Sequence, residues 1–243
     1  MSSEPTMIAQ QRQMRLTPEL VARVARHIDD PGDAAFPDIV WCTDADRDDA
    51  VAKIIATRPP INDIWVFAYG SLIWDPEFEF VERRTGVVRG WHRSFCLGWT
   101  RRFRASLEHP GLMMALDQGG QTEGVAYHLP PDEIEANLGK LFRREMRVKP
   151  DPMLPIWVDV ATEEGSVRAI TFVIDREGRY YVGGLSVERT AEVLAVAAGH
   201  VGSMADYLYQ TVKGLSDLGI HDEHLWQLQE LVAERIEMAN PIS

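Results

Sequence analysis

The sequence predicts an α+β protein in which a small, mixed, barrel-like β-sheet is flanked by helices. Its strand-like segments do not alternate regularly with helices, which argues against a doubly wound nucleotide-binding sheet. Those segments are concentrated between residues 64 and 174, while helical patterns occupy both ends of the chain. The 243 residues, 45% of them hydrophobic, suffice for one globular domain with an appendage.

Residues 1–62 predict a helical appendage that precedes a main domain over residues 63–243. Thr17-Pro18-Glu19 is typical of a helix start with Thr17 as the N-cap, and Pro31-Gly32 is expected to end that helix. A capping-box pattern beginning at Thr43 predicts a second helix through Ile55. Packing is the default interpretation of the appendage, while an oligomer contact and a partial lid remain alternatives. Nothing in the sequence indicates the oligomeric state.

Six segments of the main domain have strand-like patterns. They are residues 64–69, 85–91, 112–116, 123–129, 156–161 and 167–174. Glu163-Glu164-Gly165 predicts a hairpin between the last two strands, with a loop longer than the tightest type.

Four helices are predicted among and after these strands. The first begins at Asp132 or Glu133, because apolar residues from Ile134 onwards recur at helical spacing. Ser186 opens the second, which is expected to reach about residue 198. Ser203 caps the third, which ends before Gly219, and the last covers residues 222–238.

The composition restricts the classes of function. A net charge of −12 argues against general nucleic-acid binding, which requires a basic surface. The chain contains neither an apolar run long enough for a membrane span nor the apolar core of a signal peptide. Its two cysteines, Cys42 and Cys96, cannot form a disulfide framework and are expected to be buried free thiols. The cytoplasm is therefore the expected compartment.

Two motifs that suggest a metal site are better explained as helix starts. Asp44-x-Asp46-x-Asp48 lacks the glycine and the glutamate of a calcium-binding loop. The segment from His221 to His224 lacks further converging ligands, and Asp222 there suits the N-cap of the last helix. We expect no metal site.

A strand followed by a sharp turn is the strongest functional signal. The run from Val66 to Trp74 predicts a buried strand that ends at Tyr69 and turns at Gly70-Ser71. Successive backbone N–H groups in such a turn can face one concavity suited to a carboxylate or an oxyanion. Glu145 stands at the end of a predicted amphipathic helix. The local sequence alone favours its pairing with Arg143, Arg144 or Arg147.

Three sequence blocks occur in order, Tyr69-Gly70-Ser71-Leu72-Ile73-Trp74, Gly124-Val125-Ala126-Tyr127-His128-Leu129-Pro130 and Arg144-Glu145. Asp222-Glu223-His224-Leu225 follows near the C-terminus. With this spacing, the region from about Ile64 to Ile236 resembles the ChaC family of glutathione-specific γ-glutamylcyclotransferases. The resemblance implies a barrel-like fold and a cofactor-free cyclisation that converts glutathione, a small-molecule substrate, to 5-oxoproline and cysteinylglycine.

The resemblance also implies the roles of individual residues. Glu145 matches the catalytic glutamate, which as a base for an ammonium group should be partly desolvated with a raised pKa. Substrate-binding roles are implied for six residues, Tyr69, Gly70, Ser71, Leu72, Arg93 and Tyr181.

Several of these roles have alternatives. Tyr69 could equally be a core aromatic, and a structural ion pair is slightly favoured for Arg93. Tyr180 could replace Tyr181, because the match is uncertain by one residue. Ser71 is not expected to be a nucleophile, since Ile73 fills the last glycine position of a Gly-x-Ser-x-Gly elbow and lactam closure needs no covalent intermediate.

Substrate choice is less firmly implied than reaction type. Many relatives carry Lys-Gly-Gly-Tyr after Arg-Glu, whereas Met146-Arg147-Val148 follows here, so the pocket wall differs. The alternatives are a cyclotransferase for another γ-glutamyl amine, a non-catalytic γ-glutamyl binder, and a hydrolase that releases glutamate. A basic cluster at residues 101–104 is better explained as a solvated loop than as a rim that attracts a peptide carboxylate.

Overall fold

The structure is a computed structural model, and it describes residues 13–61 and 63–239. The first twelve residues of the predicted appendage and its last, Asn62, lie outside the described residues. The elements in chain order are α1 (Pro18–Val24), β1 (Val40–Trp41), α2 (Asp44–Ala56), β2 (Trp65–Ala68), β3 (Glu82–Thr100), β4 (Gly111–His128), α3 (Ile134–Glu145), β5 (Val148–Lys149), β6 (Met153–Thr162), β7 (Gly165–Ile174), α4 (Val187–Leu194), β8 (Ala198–Gly199), β9 (Gly202–Ser203), α5 (Met204–Asp217) and α6 (Glu223–Ala239).

Five strands form a closed barrel in the order β2-β4-β3-β6-β7. The neighbours in this order pair antiparallel, and the barrel closes where β2 and β4 meet β7 in parallel. All four residues of β2 are buried, as are the last six of β7, so the barrel is filled by side chains. The predicted α+β fold with a barrel-like sheet and flanking helices is confirmed.

Strands β3 and β4 are much longer than predicted. The predicted strand at 85–91 belongs to the 19-residue β3, and the two predicted strands at 112–116 and 123–129 are parts of one 18-residue β4. The polar stretch between them is typical of a turn, but it pairs with β3 through a bulge. Gly119 and Gly120 adopt φ of 107° and 65° there, which glycine accepts readily.

The turn between β6 and β7 is tighter than predicted. Thr162 pairs with Gly165, so the loop contains two residues, and Gly165 adopts a φ of 118°. Helices α1 and α4 also end earlier than predicted, at Val24 and Leu194. The residues after α4 instead pair in the β8–β9 hairpin. The other helices agree with the prediction to within a turn.

The N-terminal segment packs against the main domain at several places. The backbone amide of Leu16 donates to the side chain of Gln229 on α6 at 2.8 Å. Trp157 on β6 donates its indole N–H to the carbonyl of Ile54 on α2 at 3.1 Å. Strand β1 pairs antiparallel with β5, which follows α3 directly. The segment therefore reaches the end of α3, where Glu145 lies.

Cys42 and Cys96 are free and buried, as expected. None of the helices in the described part of the chain combines the length and the apolar character needed to cross a bilayer.

Candidate active site

A cavity of about 720 Å³ lies where β2, the end of α3 and the β3–β4 connection meet. Its wall includes Glu145 and the predicted loop residues Tyr69, Gly70, Ser71 and Leu72. The structure therefore brings together residues that are more than seventy positions apart in sequence. The N-terminal segment contributes to the same wall through Asp38, Ile39 and Trp41.

Glu145 is the last residue of α3, and 21% of its side chain is exposed. Burial raises the pKa of this carboxyl group to about 7, against the opposing effect of Arg144 and Arg147. The raised pKa agrees with the sequence prediction. The Nε of Arg144 lies 3.7 Å from a carboxylate oxygen, too far for a direct hydrogen bond. Glu145 can therefore both accept and release a proton near neutral pH.

Arg144 connects the end of α3 to the turn after β2. Its Nη1 donates to the carbonyl of Asp75 at 2.7 Å and lies 3.2 Å from Glu77 Oε1. Its Nη2 donates to Ser71 Oγ at 3.0 Å. One guanidinium thus fixes the turn relative to the neighbouring carboxylate. Ser71 accepts this hydrogen bond, consistent with a binding role and not a nucleophilic one.

The turn after β2 leaves backbone donors beside the cavity. The amides of Ile73 and Asp75 donate back into the turn, to Gly70 O at 3.0 Å and Ser71 O at 2.9 Å. Within residues 13–61 and 63–239, the amides of Gly70 and Leu72 have no hydrogen-bond acceptor. These N–H groups are available to a ligand oxygen in the cavity.

Tyr207 on α5 faces this turn, and sequence reasoning missed it. Its side chain is buried, and edge contacts with Trp74 and Phe95 hold the ring at centroid distances of 6.4 and 6.2 Å. Burial, followed by the charge of Glu145, raises the pKa of Tyr207 to about 12, so its hydroxyl stays protonated at neutral pH. An aromatic residue on the apolar face of a helix carries no local signal that separates a site residue from a core residue.

The space between the turn after β2 and helix α5 leaves no room for a side chain at position 70. The φ of Gly70 is −135°, outside the left-handed region, but a Cβ there would lie 2.9 Å from the Tyr207 hydroxyl and 3.7 Å from Met114 Sδ. The turn can approach α5 this closely only without a side chain.

We expect Gly70→Ala to lower kcat/KM by about tenfold or more, because the packed Tyr207 ring cannot yield and the turn must shift. Steady-state kinetics measure the effect. Gly139→Ala is the matched control, since a Cβ at that position in α3 meets none of the described residues within 4 Å. Equal kcat/KM for both variants and the unmodified protein would contradict the assignment of the turn to the site.

Arg93, for which a binding role was implied, lies behind the cavity wall and does not line it. Its Nε donates to Tyr69 O at 2.6 Å, its Nη1 pairs with Asp222 Oδ2 at 2.9 Å, and its Nη2 donates to the carbonyl of Glu123. All three nitrogens are thus occupied, and 3% of the side chain is exposed. The structure favours the alternative interpretation, in which Arg93 supports the end of β2.

The two adjacent tyrosines, Tyr180 and Tyr181, have different surroundings. Tyr181, the favoured residue, donates its hydroxyl to Asp117 Oδ2 at 2.9 Å and accepts from Arg176, away from the cavity. Tyr180 lines the cavity instead. The cavity wall therefore contains the alternative residue, Tyr180, and a substrate contact by either tyrosine stays a prediction. Tyr69 is also a wall residue and is 9% exposed.

The basic cluster after β3 forms part of the cavity rim. Arg101 pairs with Asp38 at 2.7 Å, and Arg102 pairs with Asp30 and Asp33 at 2.8 and 2.5 Å. These acids all belong to the N-terminal segment. The cluster is a rim and not a solvated loop, and two of its arginines attach the segment to the cavity.

Comparison with known proteins identifies the family. The model of the family described as ChaC-like protein matches residues 64–235, most of the chain. This chain belongs to the ChaC-like family. A glutathione-specific gamma-glutamylcyclotransferase of Escherichia coli (strain K12) is 37% identical over 201 residues, covering 81% of this chain and 85% of that protein. Glutathione-specific gamma-glutamylcyclotransferase 1 of Homo sapiens is 30% identical, covering 71% of this chain and 82% of that protein.

The ChaC-like fold is also found among solved structures. The crystal structure of a yeast gamma-glutamyl cyclotransferase specific to glutathione superposes with a TM-score of 0.64 at 22% identity. The match covers 72% of this chain and 97% of that one. The ChaC-like region begins at residue 64, so the cavity wall formed by Asp38, Ile39 and Trp41 lies outside it.

Proposed function

We propose that this ChaC-like chain is a cofactor-free, glutathione-specific γ-glutamylcyclotransferase. One observation carries the proposal: a carboxylate with a pKa of about 7 lies in the same cavity as the turn after β2. The relatives named above, which carry this activity in their names, support glutathione as the substrate.

The reaction closes a five-membered lactam. The α-amino nitrogen of the γ-glutamyl unit attacks its own γ-carbonyl carbon, a new C–N bond forms, and the amide bond to cysteine breaks. The products are 5-oxoproline and cysteinylglycine. Nucleophile and electrophile belong to one molecule, so the protein gains most by folding the substrate into a reactive conformation.

Glu145 moves the proton. As a carboxylate it accepts a proton from the substrate ammonium group, and as an acid it returns one to the departing amide nitrogen. A pKa of about 7 suits both steps better than the ordinary value of a glutamate.

The turn after β2 holds the glutamyl end. The amides of Gly70 and Leu72 can donate to the γ-carbonyl oxygen as it gains charge, or to the α-carboxylate. The protonated Tyr207 hydroxyl supplies a further donor beside Gly70. Arg144 donates to Ser71 and lies beside Glu145, and so it fixes the position of this turn relative to the carboxylate.

The raised pKa predicts a pH dependence. Below pH 7 Glu145 is increasingly protonated and cannot accept a proton, so kcat/KM should fall about tenfold per pH unit in that range and level off above it. A pH–rate profile measures this slope. A flat profile between about pH 5 and 8 would contradict the base role of Glu145.

Substrate specificity is tested by comparing glutathione with γ-glutamylcysteine and with γ-glutamyl amines that lack cysteine. We expect glutathione to have the highest kcat/KM. A higher kcat/KM for another γ-glutamyl compound would favour a cyclotransferase for another γ-glutamyl amine. The residues that follow Glu145 differ from those of many relatives, which is why this substrate class is tested.

A non-catalytic γ-glutamyl binder would have no need of a desolvated carboxylate, so Glu145 argues against that alternative. We place the reaction in the cytoplasm, where two free thiols remain reduced.

A further inference from the structure

Arg147 is a cavity residue whose terminal nitrogens are not used by the protein. Its Nε donates to the carbonyl of Arg144 at 3.0 Å. In the described part of the chain, its Nη1 and Nη2 make neither a hydrogen bond nor an ion pair, although they lie near the charges of Glu145 and Glu77. A guanidinium with both terminal groups available presents a fork suited to a carboxylate.

The other arginines around the cavity differ in this respect. Arg101, Arg102 and Arg104 each pair with an aspartate. Arg144 is occupied by the turn after β2. Arg179 donates to the Tyr180 hydroxyl at 2.6 Å. Arg147 is therefore the cavity guanidinium best placed to receive an anionic ligand.

Phe103 holds the guanidinium from one side. The Cζ of Arg147 lies 5.0 Å from the centroid of the Phe103 ring, a cation–π contact. Phe103 adopts a φ of 66°, a left-handed conformation that is unfavourable for a non-glycine residue. A strained residue in a cavity wall suggests that the ring position matters.

The N-terminal segment holds the backbone that carries Arg147. The amide of Cys42 donates to the carbonyl of Arg147 at 3.0 Å, and Arg47 Nε donates to the carbonyl of Met146 at 3.1 Å. Trp41 pairs with Val148 in the β1–β5 ladder and also lines the cavity. Arg147 is thus fixed by its own Nε, by Phe103 and by a segment outside the family match.

We propose that Arg147 binds the C-terminal carboxylate of the peptide that leaves when the lactam closes. The inference rests on the proposed function, in which the leaving group is a dipeptide ending in a glycine carboxylate. Arg147 follows Glu145 by two positions and lines the same cavity, so a substrate whose scissile amide lies at Glu145 can extend its leaving group within reach of the guanidinium. Arg147 would therefore act on specificity, selecting leaving groups that carry a terminal carboxylate.

The test compares glutathione with its glycinamide analogue, which lacks the terminal charge. It uses the unmodified chain, Arg147→Met and Arg143→Met, at about pH 8.5 so that Glu145 is ionised in each protein. Arg143 is a matched control, because it precedes Glu145 by the same two positions and its side chain is 64% exposed, paired only loosely with Asp44 at 3.6 Å.

We expect the unmodified chain and Arg143→Met to favour glutathione over the analogue by about tenfold in kcat/KM, mainly through KM. Arg147→Met should lose this preference and show similar KM values for the two compounds. Loss of the Arg147 charge also raises the pKa of Glu145, but that change affects both compounds alike and leaves the ratio of their kcat/KM values unchanged. Equal KM values for the two compounds with the unmodified chain, or a preference retained by Arg147→Met, would overturn the subsite alone. Failure of the unmodified chain to turn over either compound would overturn the proposed function and the subsite with it.

Discussion

Glu145→Gln is expected to lower kcat for glutathione by about 10²- to 10⁴-fold, the usual contribution of a general acid–base residue. Glutamine keeps the size of the side chain but can neither accept the proton of the ammonium group nor return one to the leaving nitrogen. Steady-state release of cysteinylglycine measures the loss. Turnover within a few-fold of that of the unmodified protein would assign the proton transfer to another group.

A stability measurement shows whether the Glu145→Gln variant is folded. The folded-state pKa of Glu145, about 7, is above its ordinary value of 4.5, so burial favours the neutral form. Its stabilising contribution is complete below pH 4.5 and is lost as the pH rises through 7. We therefore expect Glu145→Gln to be at least as stable as the unmodified protein at pH 8. A variant that is less stable at that pH would leave misfolding as the cause of lost activity.

Arg93→Met is expected to reduce the free energy of unfolding by about 3–5 kcal/mol. The substitution would leave Asp222 without its partner and remove donors from the carbonyls of Tyr69 and Glu123, in a region where the arginine is only 3% exposed. Urea unfolding measures the change, provided that the slope with denaturant stays constant.

Arg189→Met is the control for this prediction. Arg189 pairs with Glu192 at 2.9 Å on the surface of α4, where both side chains are about half exposed. Its loss should change stability by less than about 1 kcal/mol. A similarly small effect of Arg93→Met, together with a raised KM, would return Arg93 to substrate binding.

The local chemistry of helix starts made several elements predictable. Thr43 and Asp46 satisfy each other's backbone amides in a capping box, and Ser203 accepts from the amide of Asp206 at 3.1 Å. Asp222 accepts from the amide of Leu225 at 3.1 Å and begins α6 as expected. These interactions join residues three positions apart, so a sequence pattern contains them.

The long strands could not be predicted in the same way. Polar residues and glycines around Gly119 are typical of a turn, and only the continued pairing of β3 alongside makes them part of one strand. Strand length in a barrel depends on a distant partner, which a local pattern does not contain.

The candidate site also combines residues with a local sequence signal and residues without one. Short sequence motifs contain Glu145 and the turn from Tyr69 to Leu72, and both line the cavity. Tyr207 and Trp41 come from a late helix and from the N-terminal segment, and tertiary packing alone brings them to the same wall. Arg93 matched a family position, but its contacts within the fold occupy all of its nitrogens.

In the proposed reaction the substrate's own amine, and not water, displaces cysteinylglycine. Mass spectrometry of the products formed from glutathione in H₂¹⁸O distinguishes these two nucleophiles. Cyclisation predicts 5-oxoproline and cysteinylglycine, both without ¹⁸O, and their formation should be nearly lost with Glu145→Gln. Glutamate that carries ¹⁸O in its γ-carboxylate would identify a hydrolase and contradict the proposed cyclisation.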